Sequence, residues 1–203
     1  MRISEMFKAV QGEGPEVGTP TFFIRLSGCN LNCAFCDSKY HIDGKEMKIE
    51  DIVKEIKKSK LKHITITGGE PTLQDNEIGK LIKQLPKYIF SLETNGTIFT
   101  IQPYNNIVVS PKKQGIDICS LMYFNSNSNA IFKFVYEDKR DKWWEKVIKK
   151  VGISKSRVYI MPEGKTREEQ IRKMPEVIEY CRDNGYKFGV RLHVLAYDSK
   201  RGV

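Results

Sequence analysis

The alternation of strand-like and helix-like segments is the feature that most restricts what this chain of 203 residues can fold into. Short apolar, β-branched segments predict strands, whereas apolar residues at i, i+3, i+4 and i+7, as from Ile49 to Ile56, predict amphipathic helices. On these criteria strands are expected at residues 21–26, 63–67, 88–93, 107–110, 131–135, 158–161 and 188–195, and helices at 49–56, 75–84 and 141–151. This order predicts a parallel sheet with right-handed crossovers.

A further helix is predicted to begin after Thr166, because Glu169 lies three residues later and completes the pattern of a capping box. Pro175 predicts a kink or a restart within this helix. The dipeptide Asn184-Gly185 predicts its end, since glycine readily adopts the left-handed conformation of a helix C-terminus.

Chain length limits how complete a barrel these units can form. A closed eight-unit (β/α) barrel needs about 250 residues, so 203 residues favour an α/β fold with an open, partial barrel in one domain, residues 1–203. Irregular stretches at 114–115 and 125–129 predict reduced helical crossovers. No apolar run approaches the ~20 residues of a membrane span, and residues 1–14 lack a secretory apolar core, so we expect a cytoplasmic protein without membrane association.

Three of the five cysteines, Cys29, Cys33 and Cys36, lie within eight residues. Clustered thiols in a reducing compartment indicate a metal site, and soft thiolates favour iron–sulfur clusters or zinc. Three thiolates can hold three irons of a [4Fe–4S] cluster and leave the fourth iron open to a ligand. The alternative is a closed zinc site, for which His41 is the nearby fourth ligand. Cys119 and Cys181 stand alone and are expected to be structural or incidental.

The formal net charge of +9 favours anionic partners. The lysines are scattered, however, and runs such as Lys54, Lys57 and Lys58 are typical of the solvated face of a helix. Trp143 and Trp144 are expected to pack in the core or an interface rather than to stack on bases. No nucleic-acid-binding motif accompanies the charge, so direct nucleic-acid binding is not expected.

The cysteine spacing resembles the signature of the radical S-adenosylmethionine superfamily. Gly68-Gly69-Glu70-Pro71, directly after a predicted strand, is similar to that superfamily's GGEP motif. The resemblance implies a partial barrel of the radical S-adenosylmethionine type, a [4Fe–4S] cluster, and glycines that approach the methionine part of the cofactor. Glycine suits that task, because it permits close backbone approach and unusual dihedral angles.

A second resemblance covers residues 5–195 and is more specific. It is carried by short motifs at residues 11–14, 23–26, 28–31, 36–38, 93–97, 110–112, 133–135, 161–164 and 191–193. Together these resemble the 7-carboxy-7-deazaguanine synthase family of queuosine and 7-deazapurine biosynthesis. The resemblance implies a lyase that contracts the ring of 6-carboxy-5,6,7,8-tetrahydropterin with loss of ammonia. It also implies a homodimer and an external electron donor of the flavodoxin or ferredoxin type.

The same resemblance implies site residues position by position. The cofactor-binding candidates are Phe35, Asp37, Gly68, Gly69, Glu70, Glu93, Ser110, Pro111, Lys112, Met161, Pro162, Glu163 and Gly164. The substrate-binding candidates are Val10, Gln11, Gly12, Glu13, Arg25, Thr67 and His193. Ser38 stands where the family usually has threonine as a Mg²⁺ ligand, and it keeps the hydroxyl oxygen that such a metal accepts. Phe35 stands where the family often has tryptophan.

Two substrate candidates carry a physical argument of their own. Glu13 offers a carboxylate that can accept paired N–H bonds from a guanine-like edge. Arg25 lies within an apolar strand, where an unpaired charge is costly, so it requires a partner. That partner is either the substrate carboxylate, which suits a bidentate pair, or an internal acidic residue.

Two other functions stay open at this point. An activating enzyme that makes a glycyl radical on a partner protein would share the cysteine spacing and the small size, but would not need the loop at 11–14 or Arg25. A metal-stabilised nucleic-acid-binding module would contain zinc and would bind nucleic acid with a steep dependence on salt.

Overall fold

The computed structural model describes residues 1–33, 36 and 42–203 as one nine-stranded sheet with helices packed against it. The strands are β1 Arg2–Val10, β2 Pro20–Leu26, β3 Lys45–Glu46, β4 His63–Gly68, β5 Ile89–Thr94, β6 Asn106–Val109, β7 Ala130–Tyr136, β8 Val158–Pro162 and β9 Lys187–Phe188. The helices are α1 Ile49–Ser59, α2 Asp75–Gln84, α3 Ile118–Ser126, α4 Trp143–Val151, α5 Arg167–Asn184 and α6 Leu192–Tyr197.

The order of the strands is β3-β1-β2-β4-β5-β6-β7-β8-β9. From β2 to β9 every neighbouring pair is parallel, whereas β1 pairs antiparallel with both β2 and β3. The predicted open, partial (β/α) barrel is therefore confirmed, with an antiparallel hairpin added at its first edge. The connection between β5 and β6 contains no α-helix, so the expectation of reduced crossovers also holds.

The core lies between the sheet and the helices. Trp144 is fully buried and contacts the rings of Tyr136 and Tyr180, while Trp143 packs against Phe134. The expected core role of both tryptophans is confirmed. Cys181 is a buried residue of α5, which fits a structural role, and Cys119 is exposed on α3. Among the described residues, no helix is both long and apolar enough to cross a membrane.

The predicted capping box of α5 is present. The Thr166 hydroxyl accepts a hydrogen bond from the Glu169 amide at 3.2 Å, and the Glu169 carboxylate accepts one from the Thr166 amide. Gly185 ends the helix in the left-handed conformation, with φ of +73°. The helix does not restart at Pro175, because a proline removes one i→i−4 hydrogen bond but does not by itself end a helix that packs against a sheet.

The predicted strand at 188–195 is wrong. Only Lys187 and Phe188 pair with β8, whose last residue is Pro162, and residues 192–197 form α6 instead. Three further elements were missed: β1, the two-residue strand β3, and α3. β1 has no clean alternation of apolar and polar residues, and α3 exposes apolar side chains such as Met122 and Tyr123, so no amphipathic pattern marks it.

Candidate active site

A cavity of about 570 Å³ opens at the carboxyl ends of the parallel strands, the edge at which open α/β sheets bind ligands. It brings together all seven substrate candidates: Val10, Gln11, Gly12, Glu13, Arg25, Thr67 and His193. It is also lined by the three cysteines and by these cofactor candidates: Gly68, Gly69, Glu93, Ser110, Lys112, Met161, Pro162, Glu163 and Gly164. Glu70 and Pro111 are not in its lining, and Phe35, Asp37, Ser38 and His41 lie outside the described residues.

The glycine pair after β4 packs against the start of the cysteine loop. A Cβ on Gly68 would lie 2.3 Å from the Leu26 carbonyl oxygen, and one on Gly69 would lie 2.1 Å from the Gly28 carbonyl oxygen. Gly68 also has φ of +146°, a conformation that favours glycine. Both glycines are therefore required for backbone packing, and both still border the cavity.

Glu70 holds the ends of β4 and β5 together. Its side chain is fully buried, and its carboxylate accepts hydrogen bonds from the Thr72 amide and hydroxyl, the Thr94 hydroxyl and the Asn95 amide at 2.7–3.0 Å. Burial raises the pKa of Glu70, although these donors oppose the shift. Its carboxylate is thus committed to protein partners, and cofactor binding through this side chain is not supported.

The loop after β5 is tied to the cysteine loop by amide side chains. Asn95 Nδ2 donates to Asn30 Oδ1 at 3.0 Å, and Asn30 Nδ2 donates to the Thr97 hydroxyl at 2.8 Å. Through Glu70 and Asn95, the position of the first cysteine is coupled to the sheet. Sequence reasoning did not assign this role to Asn30 or Asn95, since side chains 65 residues apart give no local signal.

Glu93 also lines the cavity and accepts hydrogen bonds from Gln11 and Thr67. The Gln11 Nε2 donates to Oε1 at 3.1 Å, and the Thr67 hydroxyl donates to Oε2 at 3.2 Å. The cofactor candidate Glu93 therefore lies among substrate candidates. Gln11 Oε1 also accepts from the Glu13 amide at 3.1 Å, which orders the loop after β1.

Glu13 is enclosed by basic groups. Its carboxylate pairs with Lys133 Nζ through Oε2 and accepts from Arg191 Nε at 2.9 Å through Oε1, while His193 Nε2 lies 4.0 Å from Oε1. Burial alone would raise the pKa of Glu13, but the charges of Lys133 and Arg191 outweigh it and hold the pKa well below its usual range. Glu13 is a stable carboxylate anion at neutral pH.

The backbone explains how His193 reaches this loop. The Leu192 amide donates to the Gly12 carbonyl at 2.9 Å, and a Cβ on Gly12 would lie 2.3 Å from His193 Nδ1. Glycine at position 12 is needed for this close approach. The turn that replaces the predicted final strand therefore delivers His193 and Arg191 to the cavity.

Arg25 does have an internal acidic partner. Its Nε donates to Glu5 Oε1 at 2.7 Å, and Glu5 Oε2 lies 3.6 Å from Arg201. The internal ion pair expected as one alternative is thus present, and Arg25 also lines the cavity, as do residues 198–203. Sequence analysis left the last four residues without a role.

The turn after β8 is held by a buried side chain of α5. Gln170 Nε2 donates to the carbonyls of Pro162 and Gly164 at 3.0 and 2.9 Å, and Arg191 also donates to the Gly164 carbonyl at 2.9 Å. The φ of Gly164 is +154°, and a Cβ there would lie 2.8 Å from Glu169. These contacts fix the backbone of the cofactor candidates Met161 to Gly164.

Comparison with known proteins identifies the family. The family model described as Radical SAM superfamily matches residues 23–170. The chain is 31% identical to 7-carboxy-7-deazaguanine synthase of Pyrobaculum aerophilum over 100% of the chain and 97% of that protein. It is 33% identical to the synthase of Hyperthermus butylicus over 96% of the chain and 92% of that protein. The chain belongs to the 7-carboxy-7-deazaguanine synthase family.

Solved structures agree with this assignment at the level of fold. QueE from Escherichia coli superposes with a TM-score of 0.77 at 24% identity and covers 95% of this chain and 94% of its own. SuiB from Streptococcus suis, bound to the precursor peptide SuiA, gives a TM-score of 0.55 at 17% identity over 82% of this chain and 47% of its own. The activating-enzyme and nucleic-acid-binding alternatives are not favoured.

Membership of the 7-carboxy-7-deazaguanine synthase family implies a [4Fe–4S] cluster and S-adenosylmethionine, and the cysteines fit that cluster. All three line the cavity, and the Leu31 amide donates to Cys29 Sγ at 3.4 Å, a contact that also stabilises a thiolate bound to iron. Among the described residues, no three Cys, His, Asp or Glu side chains converge as one zinc ion requires. Cluster thiolates bind separate irons and need no such convergence.

Replacement of Cys33 by alanine is expected to abolish cluster binding and cofactor cleavage, because only two thiolates of the set remain. Anaerobic reconstitution with iron and sulfide, followed by assay of bound iron and of 5′-deoxyadenosine, measures both effects. The matched control is Cys119→Ala on exposed α3, which should bind iron as the unaltered chain does. Full cofactor cleavage by Cys33→Ala would contradict the cluster assignment.

Glu70→Gln is expected to destabilise the fold by roughly 2 kcal/mol, because one acceptor oxygen becomes an NH₂ group that faces N–H and O–H donors. Urea denaturation of the cluster-free protein measures the free energy of unfolding. Exposed Glu50→Gln on α1 is the control and should change it by less than about 0.5 kcal/mol. Equal stability of the two variants would show that the Glu70 hydrogen bonds are dispensable.

Proposed function

We propose that this chain converts 6-carboxy-5,6,7,8-tetrahydropterin to 7-carboxy-7-deazaguanine with loss of ammonia, as a step of deazapurine biosynthesis. Membership of the synthase family supports the reaction. The observation that carries the proposal is the single cavity that joins a three-cysteine loop to a cluster of charged groups suited to a small polar substrate. A protein substrate, as the activating enzyme requires, would not need these buried charges.

The pterin end of the substrate presents N–H donors on one edge, and Glu13 is the acceptor for them. A carboxylate has about four lone-pair sites, and Lys133 and Arg191 occupy two of these. A carboxylate that accepts more bonds than these two suits a pair of N–H donors. The side chain of Glu13 is 13% exposed, so it can be reached from the cavity without a rearrangement of its partners.

The substrate carboxylate is assigned to Arg25. Arg25 lies in the lining of the cavity, and its Nε donates to Glu5 at 2.7 Å. Arginine can hold a carboxylate through its NH groups while its Nε bonds to a second acceptor. We expect Glu5 to orient the guanidinium, so the internal ion pair and the substrate contact are compatible.

Glu93 is assigned to the substrate half of the cavity, together with Gln11 and Thr67, on the basis of its hydrogen bonds to them. His193 completes this half and is held against Gly12. The cofactor half comprises Gly68, Gly69, Ser110, Lys112 and the residues from Met161 to Gly164. Lys112 Nζ donates to the Ser110 hydroxyl at 2.7 Å, which orients both side chains.

When bound, the cluster and S-adenosylmethionine supply the organic radical that takes a hydrogen atom from the pterin. Cys29, Cys33 and Cys36 would hold that cluster. The chain's own residues orient the pterin, neutralise its carboxylate and exclude water from the cavity. Mg²⁺ at Ser38, a homodimer, an external electron donor of the flavodoxin or ferredoxin type and a cytoplasmic location remain expectations that accompany the proposed function.

Anaerobic turnover tests the function. The reconstituted and reduced protein receives S-adenosylmethionine and 6-carboxy-tetrahydropterin, with and without Mg²⁺, and products are followed by mass spectrometry. We expect 7-carboxy-7-deazaguanine, with a higher rate in Mg²⁺ if Ser38 serves as a metal ligand. Formation of 5′-deoxyadenosine alone would contradict the substrate assignment and favour the activating-enzyme alternative.

Arg25→Ala is expected to reduce pterin turnover by roughly 10²-fold, because the substrate carboxylate loses its charged partner. Uncoupled cleavage of S-adenosylmethionine, measured without the pterin, should be largely retained. Arg182→Ala removes a surface arginine that pairs with Asp183 and serves as the control, with unchanged turnover. Full pterin turnover by Arg25→Ala would overturn its assigned role.

A further inference from the structure

Lys133 is a charged side chain in the middle of an otherwise apolar strand. Its neighbours Phe132 and Phe134 are fully buried in the core on one face of β7, whereas Lys133 and Val135 border the cavity on the other. Only 6% of the Lys133 surface is exposed. Burial of an ammonium group is costly unless it is paired, so its presence requires an explanation.

The partner of Lys133 is Glu13, which lies 120 residues away in the loop after β1. The groups that face the Glu13 carboxylate come from three places: Lys133 on β7, Arg191 in the turn before α6, and His193 on α6. Glu93 on β5 acts electrostatically on Lys133 from the other side. Glu13, Glu93, Lys133 and Arg191 together carry no net charge.

The pairing fixes the protonation state of both groups. Burial alone would lower the pKa of Lys133, but Glu13 and Glu93 outweigh it and raise the pKa. The positive charges of Lys133 and Arg191 hold the pKa of Glu13 below its usual range. Lys133 is therefore a fixed cation rather than a proton donor at neutral pH.

We infer that Lys133 is a positioning residue for the pterin, which acts by holding the Glu13 carboxylate ionised and in one orientation toward the cavity. The inference rests on the proposed function. Glu13 lies in the loop that follows β1, so its backbone belongs to neither a strand nor an α-helix. Lys133, by contrast, belongs to β7, which pairs with β8 at Lys133 itself and with β6 as far as the preceding residue, Phe132. Its ion pair with Glu13 therefore holds the carboxylate that accepts from the substrate in one position relative to the sheet.

Lys133→Met tests the inference, since methionine keeps an unbranched side chain and removes the charge. We expect the KM for 6-carboxy-tetrahydropterin to rise about tenfold or more at neutral pH. The increase in KM should be larger at acidic pH. Without Lys133, the effect of burial on the pKa of Glu13 is opposed less strongly, so this pKa rises and the carboxylate is protonated more readily. Uncoupled cleavage of S-adenosylmethionine should stay within about twofold of the unaltered protein.

Three variants make the result specific. Lys133→Arg should restore most of the affinity for the pterin. In the Glu13→Gln background, Lys133→Met should have little further effect, because residues that act through one another give non-additive losses. Lys54→Met removes an exposed lysine that pairs with Asp51 on α1 and should leave the KM unchanged.

Several outcomes would overturn the inference. The first is an unchanged KM for the pterin in Lys133→Met. The second is a loss of uncoupled cofactor cleavage as large as the loss of pterin turnover. The third is a double variant in which the effects of Lys133→Met and Glu13→Gln on the KM simply add. If Lys133→Met does not fold, the comparison of Glu13→Gln with the double variant decides, because neither contains the unpaired Glu13 carboxylate. Failure of the unaltered protein to turn over the pterin would instead contradict the proposed function.

Discussion

The four hydrogen bonds to the buried carboxylate of Glu70 are the interaction on which the site most depends. They join the turn after β4 to the loop after β5, and Asn95 carries the connection to Asn30 beside the first cysteine. Three loops that belong to different strands are thereby held in one arrangement. A cluster bound by only three thiolates needs that support, because the surrounding shell fixes ligand orientation.

In the substrate half of the cavity, the buried carboxylate is stabilised by cations rather than by neutral donors. This carboxylate, Glu13, is balanced by two cations, and in the proposed function it also accepts hydrogen bonds from the substrate. Glu70 is satisfied by neutral donors and turns away from the cavity. The two carboxylates show why burial alone does not identify a binding residue: the decisive property is whether acceptor sites remain that face the ligand.

Local periodicity predicted a parallel sheet, because it marks the individual strands, and the resemblance to the synthase family predicted most of the residues that line the cavity. Sequence reasoning failed where the structure depends on distant partners. Residues 192–197 form a helix rather than a strand, since β8 ends at Pro162 and offers no further ladder, and the Gly12 carbonyl accepts the Leu192 amide. Glu70 matched a motif, yet its side chain serves the fold.

Lys133 and Arg191 belonged to motifs of the family but received no role, although one physical signal was available. Arg25 was singled out because a charge within an apolar strand requires a partner, and Lys133 between Phe132 and Phe134 satisfies the same criterion. Arg25 is paired with Glu5, its register partner on the neighbouring strand β1, whereas Lys133 is paired with Glu13 in the loop after β1. Both charged residues line the cavity, so a lone charge in a strand of this parallel sheet predicts a cavity-facing position, but it does not identify the partner, which lies on a strand in one case and in a loop in the other.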